Sequence, residues 1–393
     1  MSQALDASST RARLVVRAQR LVVKVGTNVL STPARQLDTA RVATLCEQIH
    51  RLRQQGRQVV LVSSGAIGAG MAQLGWTKRP KELVRLQAAA AVGQSRLMVA
   101  YDECFRRHGS CAGQVLLTRE DFDDRHRYLN VRNTLEELLR LGAIPVINEN
   151  DTVSVAELEL RFSDNDVLSA LVSHLLHADL LVILSSVEGL YRADEQGQRR
   201  RLSVVAAIDE SILRMDDGTR SSRGTGGMGT KLEAAVMGTR AGHAVIIADG
   251  RVGDILDRII AGSDVGTLFL PAPKQLASRK RWIGYGVAPK GKLLVDAGAR
   301  RALVEGGKSL LASGLREVRG RFSEGDIVDV IDETGQAFAR GVTNYSSPDL
   351  RKLCGRKTGE IVSLLGRETP DEVVHRNNLV VLSPRRHEAP RQG

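Results

Sequence analysis

The chain has 393 residues, 42% of them hydrophobic but only 3% aromatic, and a formal net charge of +11. That length exceeds one ordinary core, so two domains are expected, with Val, Leu, Ile and Ala filling the interiors. No apolar run approaches the ~18 residues of a membrane span, and the basic residues are spread too evenly for charge alone to choose between nucleic acid and a small polyanion.

Residues 1–19 hold Ser8, Ser9 and several arginines around Leu14-Val15-Val16, an apolar stretch too short for a signal peptide. They are expected to form a disordered extension. From there short apolar runs alternate with helical patterns. The predicted strands are Leu21–Val25, Gln58–Val62, Gln114–Leu117, Ile144–Asn148, Leu180–Leu184 and Ala244–Ala248. They are almost continuous in Val, Leu and Ile, as parallel strands covered on both faces are. The predicted helices between them are Thr39–Gln55, Lys81–Arg107, Asn130–Leu141, Asp166–His177 and Thr230–Ala241. This alternation implies an α/β fold, a three-layer α/β/α sandwich with a mainly parallel sheet, over residues 20–272.

Pro271-Ala272-Pro273-Lys274 and Arg279-Lys280-Arg281 read as a linker over 273–288. Beyond it, Lys292–Val295, a short helix Ala299–Glu305, and strands Ile327–Ile331 and Ala337–Val342, separated by glycines, indicate a small, mainly β domain over 289–368. Residues 384–393 form a basic tail expected to be disordered. Cys46, Cys104, Cys111 and Cys354 lack zinc or thioredoxin spacing. Buried, inert thiols and a reducing, cytoplasmic setting are expected.

The glycine-rich segment Gly224-Thr-Gly-Gly-Met-Gly-Thr-Lys231 opens a predicted helix. Glycines let main-chain amides approach a ligand, a helix start favours negative charge, and Lys231 adds a full positive one. A Walker loop would end in Gly-Lys-Ser/Thr, and here Lys231 precedes Leu232. The G-x-G-x-x-G spacing matches a dinucleotide fingerprint, but a polar loop, Arg214–Arg223, precedes it where a strand is required. That context argues against a nicotinamide dehydrogenase. Lys24 lies inside an apolar strand, where an ammonium needs a counter-charge or an escape to water. It is followed by Gly26, where a phosphate could reach main-chain amides. Ser163-Asp164-Asn165-Asp166 precedes a clear helix; one N-cap does not need two carboxylates and an amide. The surplus suggests a site that aligns lysines, a metal or a substrate ammonium. Polar words also end other strands: Ser63-Ser64-Gly65-Ala66 and Glu149-Asn150-Asp151. Ligands of open α/β sheets bind at that edge. His174 and His177 share a helical face without completing a metal site, and Asp121, Asp123 and Asp124 read as a solvated loop.

Together these words resemble the amino acid kinase family and, within it, the bacterial glutamate 5-kinases. The residues that carry the resemblance are Val22–Thr27, Ser63–Ile67, Ala90–Ser95, Ile147–Asp151, Asp164–Asp166 and Gly224–Lys231, and the C-terminal part is similar to the PUA domain found in that group. The resemblance implies ATP-dependent phosphorylation of the side-chain carboxylate of L-glutamate to L-glutamyl 5-phosphate, the first step toward proline. It implies Lys24, Lys231 and Asp166 as catalytic, with Asp166 orienting the two lysines. It places Ser64, Gly65, Asp151, Asn165 and Asp164 with the amino acid, and Lys24, Gly26, Ser185, Ser186, Thr225, Gly226, Gly227, Met228, Gly229, Thr230 and Lys231 with ATP. No protein cage for a metal is implied; Mg²⁺ would be held chiefly by the ATP phosphates, with Asp164 a further candidate for the substrate or the metal. A homo-oligomer, dimer or tetramer, and coupling to a glutamyl-phosphate reductase are further implications. One departure matters. After strand five the family commonly has Thr-Asp or Ser-Asp, whereas this chain has Ser185-Ser186, which puts the contacts to the nucleotide's sugar or base in doubt.

Aspartate kinases, N-acetylglutamate kinases and uridylate kinases share the expected architecture. Aspartate kinases usually carry other regulatory domains, and the words at Asn148–Asp151 and Asp164–Asp166 favour free glutamate. RNA binding through the C-terminal domain is the rival reading from another class. Base-stacking aromatics are sparse there, with Phe322, Phe338 and Tyr345 the ones available.

Overall fold

A computed structural model describes residues 2–34, 36–153, 165–194, 197–215, 227–272, 289–366 and 370–382. It divides into two compact units, Met1–Gln275 and Leu276–Gly393. The first contains, in order, α1 (Ser2–Arg17), β1 (Arg20–Val25), α2 (Thr39–Gln54), β2 (Gln58–Ser63), α3 (Ala66–Gln73), α4 (Leu83–Arg106), β3 (Ala112–Leu117), α5 (Glu120–Asp123), α6 (Arg125–Arg140), β4 (Ile144–Glu149) and α7 (Asn165–Leu175). Then follow β5 (Leu180–Ser185), β6 (Tyr191–Ala193), β7 (Arg199–Arg201), β8 (Val204–Val205), α8 (Glu210–Leu213), α9 (Met228–Arg240), β9 (Ala244–Asp249), α10 (Ile255–Ile260) and β10 (Thr267–Phe269).

Eight strands form one sheet in the order β3-β4-β2-β1-β5-β9-β10-β8. The six long ones are parallel, and β10 runs antiparallel to β9. Period-two alternation divides each strand between two cores. Leu21, Val23 and Val25 of β1 pack with residues of α2, α4 and α10, while Val22 packs with α7 and α9 on the other face. Burial on both faces explains why these strands read as unbroken apolar runs. Every long strand expected from the sequence is present, each one residue longer than expected except β3, which starts two residues earlier. Helix starts obey local chemistry: Asp38 caps α2 by accepting from Arg41 N at 2.9 Å, and Asp124 caps α6 by accepting from Arg127 N at 2.9 Å. The acidic run read as a solvated loop is therefore α5 plus a cap.

Helices α3 and α4 touch at their backbones. A Cβ built on Gly70 would lie 1.8 Å from the Ala89 carbonyl oxygen, and one on Gly93 would lie 1.7 Å from that of Ala66. Within the alanine run, Ala89 and Ala90 turn inward and Ala88 and Ala91 are exposed. Gly93→Ala must push the two helices apart, and overpacking of this kind costs about 1–3 kcal/mol. Urea unfolding should show a lower midpoint at unchanged slope.

The N-terminal expectation is corrected. Residues 2–17 form a helix, and the Arg11 side chain is 1% exposed. Its guanidinium donates to the carbonyls of Ser203 at 2.6 Å, Val265 at 2.7 Å and Gly266 at 3.1 Å. Gly262 allows the approach, since a Cβ there would lie 3.1 Å from Ala12 Cα. A buried arginine whose two terminal nitrogens donate to carbonyls looks, in sequence, like an ordinary solvated one. Cys46 and Cys104 are buried as expected, but Cys111 is exposed, so burial does not extend to all four thiols. No described helix is long and apolar enough to cross a membrane.

The second unit has a five-stranded sheet of β13-β11-β14-β15-β17: β11 (Gly291–Val295), β13 (Leu315–Gly320), β14 (Ile327–Ile331), β15 (Ala337–Val342) and β17 (Leu379–Val381), with a separate pair, β12 (Leu310–Leu311) and β16 (Glu372–Val374). Its core gathers Leu293, Val295, Val328, Val330, Phe338 and Tyr345. β17 pairs with β15 through Ala339↔Val381, so the sheet continues past the end expected near residue 368. The expected linker 273–288 and basic tail 384–393 lie outside the described residues.

Candidate active site

Two lysines from opposite ends of the first unit's sequence meet on one carboxylate. Lys24 comes from β1, on the strand face that packs against α7, and is 3% exposed. Lys231 comes from the first turn of α9 and is 6% exposed. Asp166, in the first turn of α7 and fully buried, stands between them. Lys24 Nζ lies 2.6 Å from Asp166 Oδ1 and Lys231 Nζ 3.1 Å from Oδ2. Thr230 Oγ1 donates to Oδ2 at 3.2 Å, and Lys231 Nζ also donates to the Gly227 carbonyl at 3.2 Å. Burial by itself pushes a carboxyl up. The two ammonium groups outweigh it here and hold the Asp166 carboxyl down at about 2. The trio thus holds both lysines at one rim, with one formal positive charge in excess.

Gly26 follows β1, but its amide is not a free donor. It donates to the Leu184 carbonyl at 3.0 Å, continuing the β1–β5 pairing. The expectation of a Gly26 N–H open to phosphate is corrected on that ground. The glycine matters for space instead: a Cβ there would sit 3.7 Å from Lys24 Nζ and 3.3 Å from the Leu184 oxygen. The next turn closes through Val29 N to Gly26 O at 3.0 Å, and the amides of Thr27 and Asn28 donate no hydrogen bond among the described residues. At the other end, Gly227 is the N-cap of α9, with Met228, Gly229 and Thr230 in its first turn. Thr225 and Gly226 lie outside the described residues.

Next to Asp166 runs a chain of side-chain amides. Asn148 Oδ1 accepts from the Glu149 amide at 2.9 Å, which sets the orientation of the Asn148 side chain. Asn148 Nδ2 therefore donates to Gln94 Oε1, and Asn165 Nδ2 donates to Asn148 Oδ1, both at 2.9 Å. Asn165 Nδ2 also donates to Ser64 Oγ at 2.9 Å. Ser64 accepts there, so its own hydroxyl proton remains available as a donor. Gly65 follows at φ +106°, a backbone state that favours glycine, and starts α3. Asp151 is half-buried beside Gln94, Leu116 and Glu149 in a pocket of about 230 Å³. The Arg79 guanidinium faces it. Asp164 lies outside the described residues.

Ser185 ends β5 and Ser186 follows it, both half-buried. The Ser185 carbonyl accepts from Gly250 N at 2.8 Å, and that of Ser186 from Arg251 Nη2 at 3.0 Å. The structure therefore brings together Lys24, Asp166 and Lys231, and separately Ser64 and Asn165, along the carboxyl edge of the sheet. The supporting residues Gln94 and Asn148 carried no expected role. Their signal was faint: an amide inside an otherwise apolar strand, and another inside an alanine-rich helix, each needing a partner that the sequence does not name. The His174 ring is buried with His243 and meets the half-buried His177, with His174–His177 and His174–His243 centroids each 6.3 Å apart.

Comparison with known proteins follows the same division. Residues 19–249 match the family model described as the amino acid kinase family, and residues 291–365 match the PUA domain. A glutamate 5-kinase from Gloeobacter violaceus is 51% identical over 369 residues, 92% of this chain and 99% of that protein. Glutamate 5-kinases from Syntrophotalea carbinolica and Trichormus variabilis are each 49% identical, over 94% and 92% of this chain and 99% of each relative. The chain belongs to the amino acid kinase family, in its glutamate 5-kinase branch with a C-terminal PUA domain.

Proposed function

We propose that this chain transfers the terminal phosphoryl group of ATP to the side-chain carboxylate of L-glutamate, releasing ADP and L-glutamyl 5-phosphate, the first step toward proline. The convergence of Lys24 and Lys231 on Asp166 is the observation that carries the reading. A glutamate carboxyl ionises near pH 4.3, so at neutral pH the acceptor is already an anionic nucleophile and needs no general base. The obstacle is repulsion between that anion and the phosphates. Two buried ammonium groups with a net surplus of one charge answer it, and they work by positioning and charge neutralisation.

On this reading one carboxylate oxygen of glutamate attacks the terminal phosphorus while the bond to the bridging oxygen of ADP breaks. Lys24 and Lys231 stay beside the oxygens of the transferring group. The amides after Gly26 and those opening α9 face the phosphates, and Ser185 and Ser186 lie under the rest of the nucleotide. Ser64 and Gly65 take a carboxylate of the amino acid, and Asn165, Asp151 and Asp164 its remaining polar groups. Mg²⁺ would be held chiefly by the phosphates of ATP and would supply further charge neutralisation there. Asp166 is engaged by both lysines, and no group of three or more metal-ligating side chains occurs among the described residues. The described side chains therefore do not fit a protein-held Mg²⁺, and no step is routed through one.

A hydroxamate assay for acyl phosphate, run with ATP and glutamate, aspartate or N-acetylglutamate, tests the acceptor. Product with glutamate alone is expected, and equal product with either of the others would overturn it. Asp151→Asn keeps the shape of the pocket but removes a negative charge from it. It should raise the KM for glutamate about tenfold or more, the value of a charged hydrogen bond, with little change in the KM for ATP.

A further inference from the structure

The nucleotide rim has no acid at Ser186, yet one stands on the neighbouring strand. We propose that Asp249, at the end of β9, holds the ribose hydroxyls of ATP; this rests on the ATP-dependent reading above. β5 and β9 are parallel neighbours with Ser185 opposite Asp249. Alternation places both on the strand face of Lys24, because Val22, Ile183 and Ile247 all enter the core that packs α7 and α9. Lys24 pairs with Ile183, and Ile183 with Ile247. Asp249 is thus two strands across, ~10 Å, and two residues further along, ~7 Å. That offset suits a nucleotide whose terminal phosphate meets Lys24 and whose sugar reaches the next strands.

The backbone around Asp249 is drawn into the same rim. A Cβ on Gly250 would lie 2.8 Å from Val29 Cγ1 and 2.9 Å from Leu184 Cβ, so the chain after β9 lies against the turn that follows Gly26. The Asp249 side chain is only 12% exposed, unlike the surface pair Glu137–Arg140 at 53% and 69%. Its Oδ1 accepts from Arg251 N and Arg251 Nε, both at 2.9 Å, and its Oδ2 from Arg251 Nη2 at 2.7 Å, with Arg251 Nε further off at 3.2 Å. The same Nη2 continues to the Ser186 carbonyl. Arg251 therefore locks the carboxylate beside Ser186, where an acid was expected. A carboxylate has about four acceptor sites, so Oδ2 retains capacity for a hydroxyl. An acceptor-only group at that position suits a sugar diol.

The full-length chain should be titrated calorimetrically with ATP and with 2′,3′-dideoxy-ATP, without amino acid. The wild type should prefer ATP about tenfold or more, the value of hydrogen bonds to a charged acceptor. Asp249→Ser should remove that preference, and adding Ser186→Asp, within reach of the same Arg251 guanidinium, should restore it. The ratio is taken on one sample, so a lowered folded fraction cancels. Equal binding of the two nucleotides by the wild type overturns the proposal. So does a preference that survives Asp249→Ser, or a double variant that regains nothing. If inosine triphosphate, rather than the dideoxy compound, is the analogue whose penalty disappears with Asp249→Ser, the carboxylate reads the base and the proposal fails. A chain that shows this discrimination but makes no hydroxamate with glutamate refutes the acceptor reading alone.

Discussion

Lys24→Ala lowers kcat by about 10³-fold while the protein remains folded. A unit charge about 4 Å from a phosphoryl oxygen at an effective dielectric of 20 is worth ~4 kcal/mol, and that loss corresponds to about three decades in rate. The fold survives because the remaining charges balance: Lys231 stays 3.1 Å from Asp166, leaving one cation and one anion where there were two and one. Single-turnover phosphorylation, read as hydroxamate, measures the loss, and a thermal melt measures the fold. Turnover within tenfold of wild type would remove Lys24 from the chemistry. Lys24→Arg should not restore the rate. A planar guanidinium cannot reproduce the compact ammonium in a space closed by Gly26 and the Leu184 carbonyl.

Asp166→Asn has the opposite signature. It removes the one anion shared by two buried cations, and breaking a buried pair in this way costs about 3–5 kcal/mol. Stability in urea should fall by that order, far more than for Lys24→Ala. ATP should recover much of it, because phosphates supply the missing negative charge and binding to the folded state alone stabilises it. The melting temperature of the variant should therefore rise more on ATP addition than that of wild type. Acid behaviour follows with a definite sign. The Asp166 carboxyl is depressed in the folded state to about 2, against about 3.9 unfolded. Its stabilisation is complete above about pH 4 and disappears as pH falls through about 2. Wild type should show this acid loss, and Asp166→Asn should show less of it. A variant as stable as wild type at pH 7 would mean that the lysines escape to solvent when uncoupled.

The strand-end words were legible because period-two apolar runs are long and continuous here, and such runs leave polar residues only at their ends. Lys24 stood out for the same reason: an ammonium inside Val22-Val23-Lys24-Val25 demands a counter-charge. From residue type and spacing that counter-charge is only one member of an acidic cluster, since Asp164 and Asp166 look equivalent as text; the family resemblance is what singles out Asp166. Locally Gly26 offers its amide as a donor, but the β1–β5 pairing consumes that amide, and pairing partners are not written in a local sequence. The role of the Gln94–Asn148–Asn165–Ser64 chain was likewise hidden, because an amide's function depends on which atom its neighbour uses.

By itself, then, the sequence determined the alternation of strands and helices, the second, mainly β unit, and the chemistry available at each strand end. These depend on periodicity and residue type over a few neighbours. The tertiary structure alone decided the geometry by which Lys24 and Lys231, 207 positions apart, meet Asp166 at 2.6 and 3.1 Å, that Arg11 ties the N-terminal helix to carbonyls some 190 to 250 residues away, and that Asp249 lies opposite Ser185. Each of these is a pairing across the sheet or between its layers, set by strand order and register, and a chain read in one dimension contains neither.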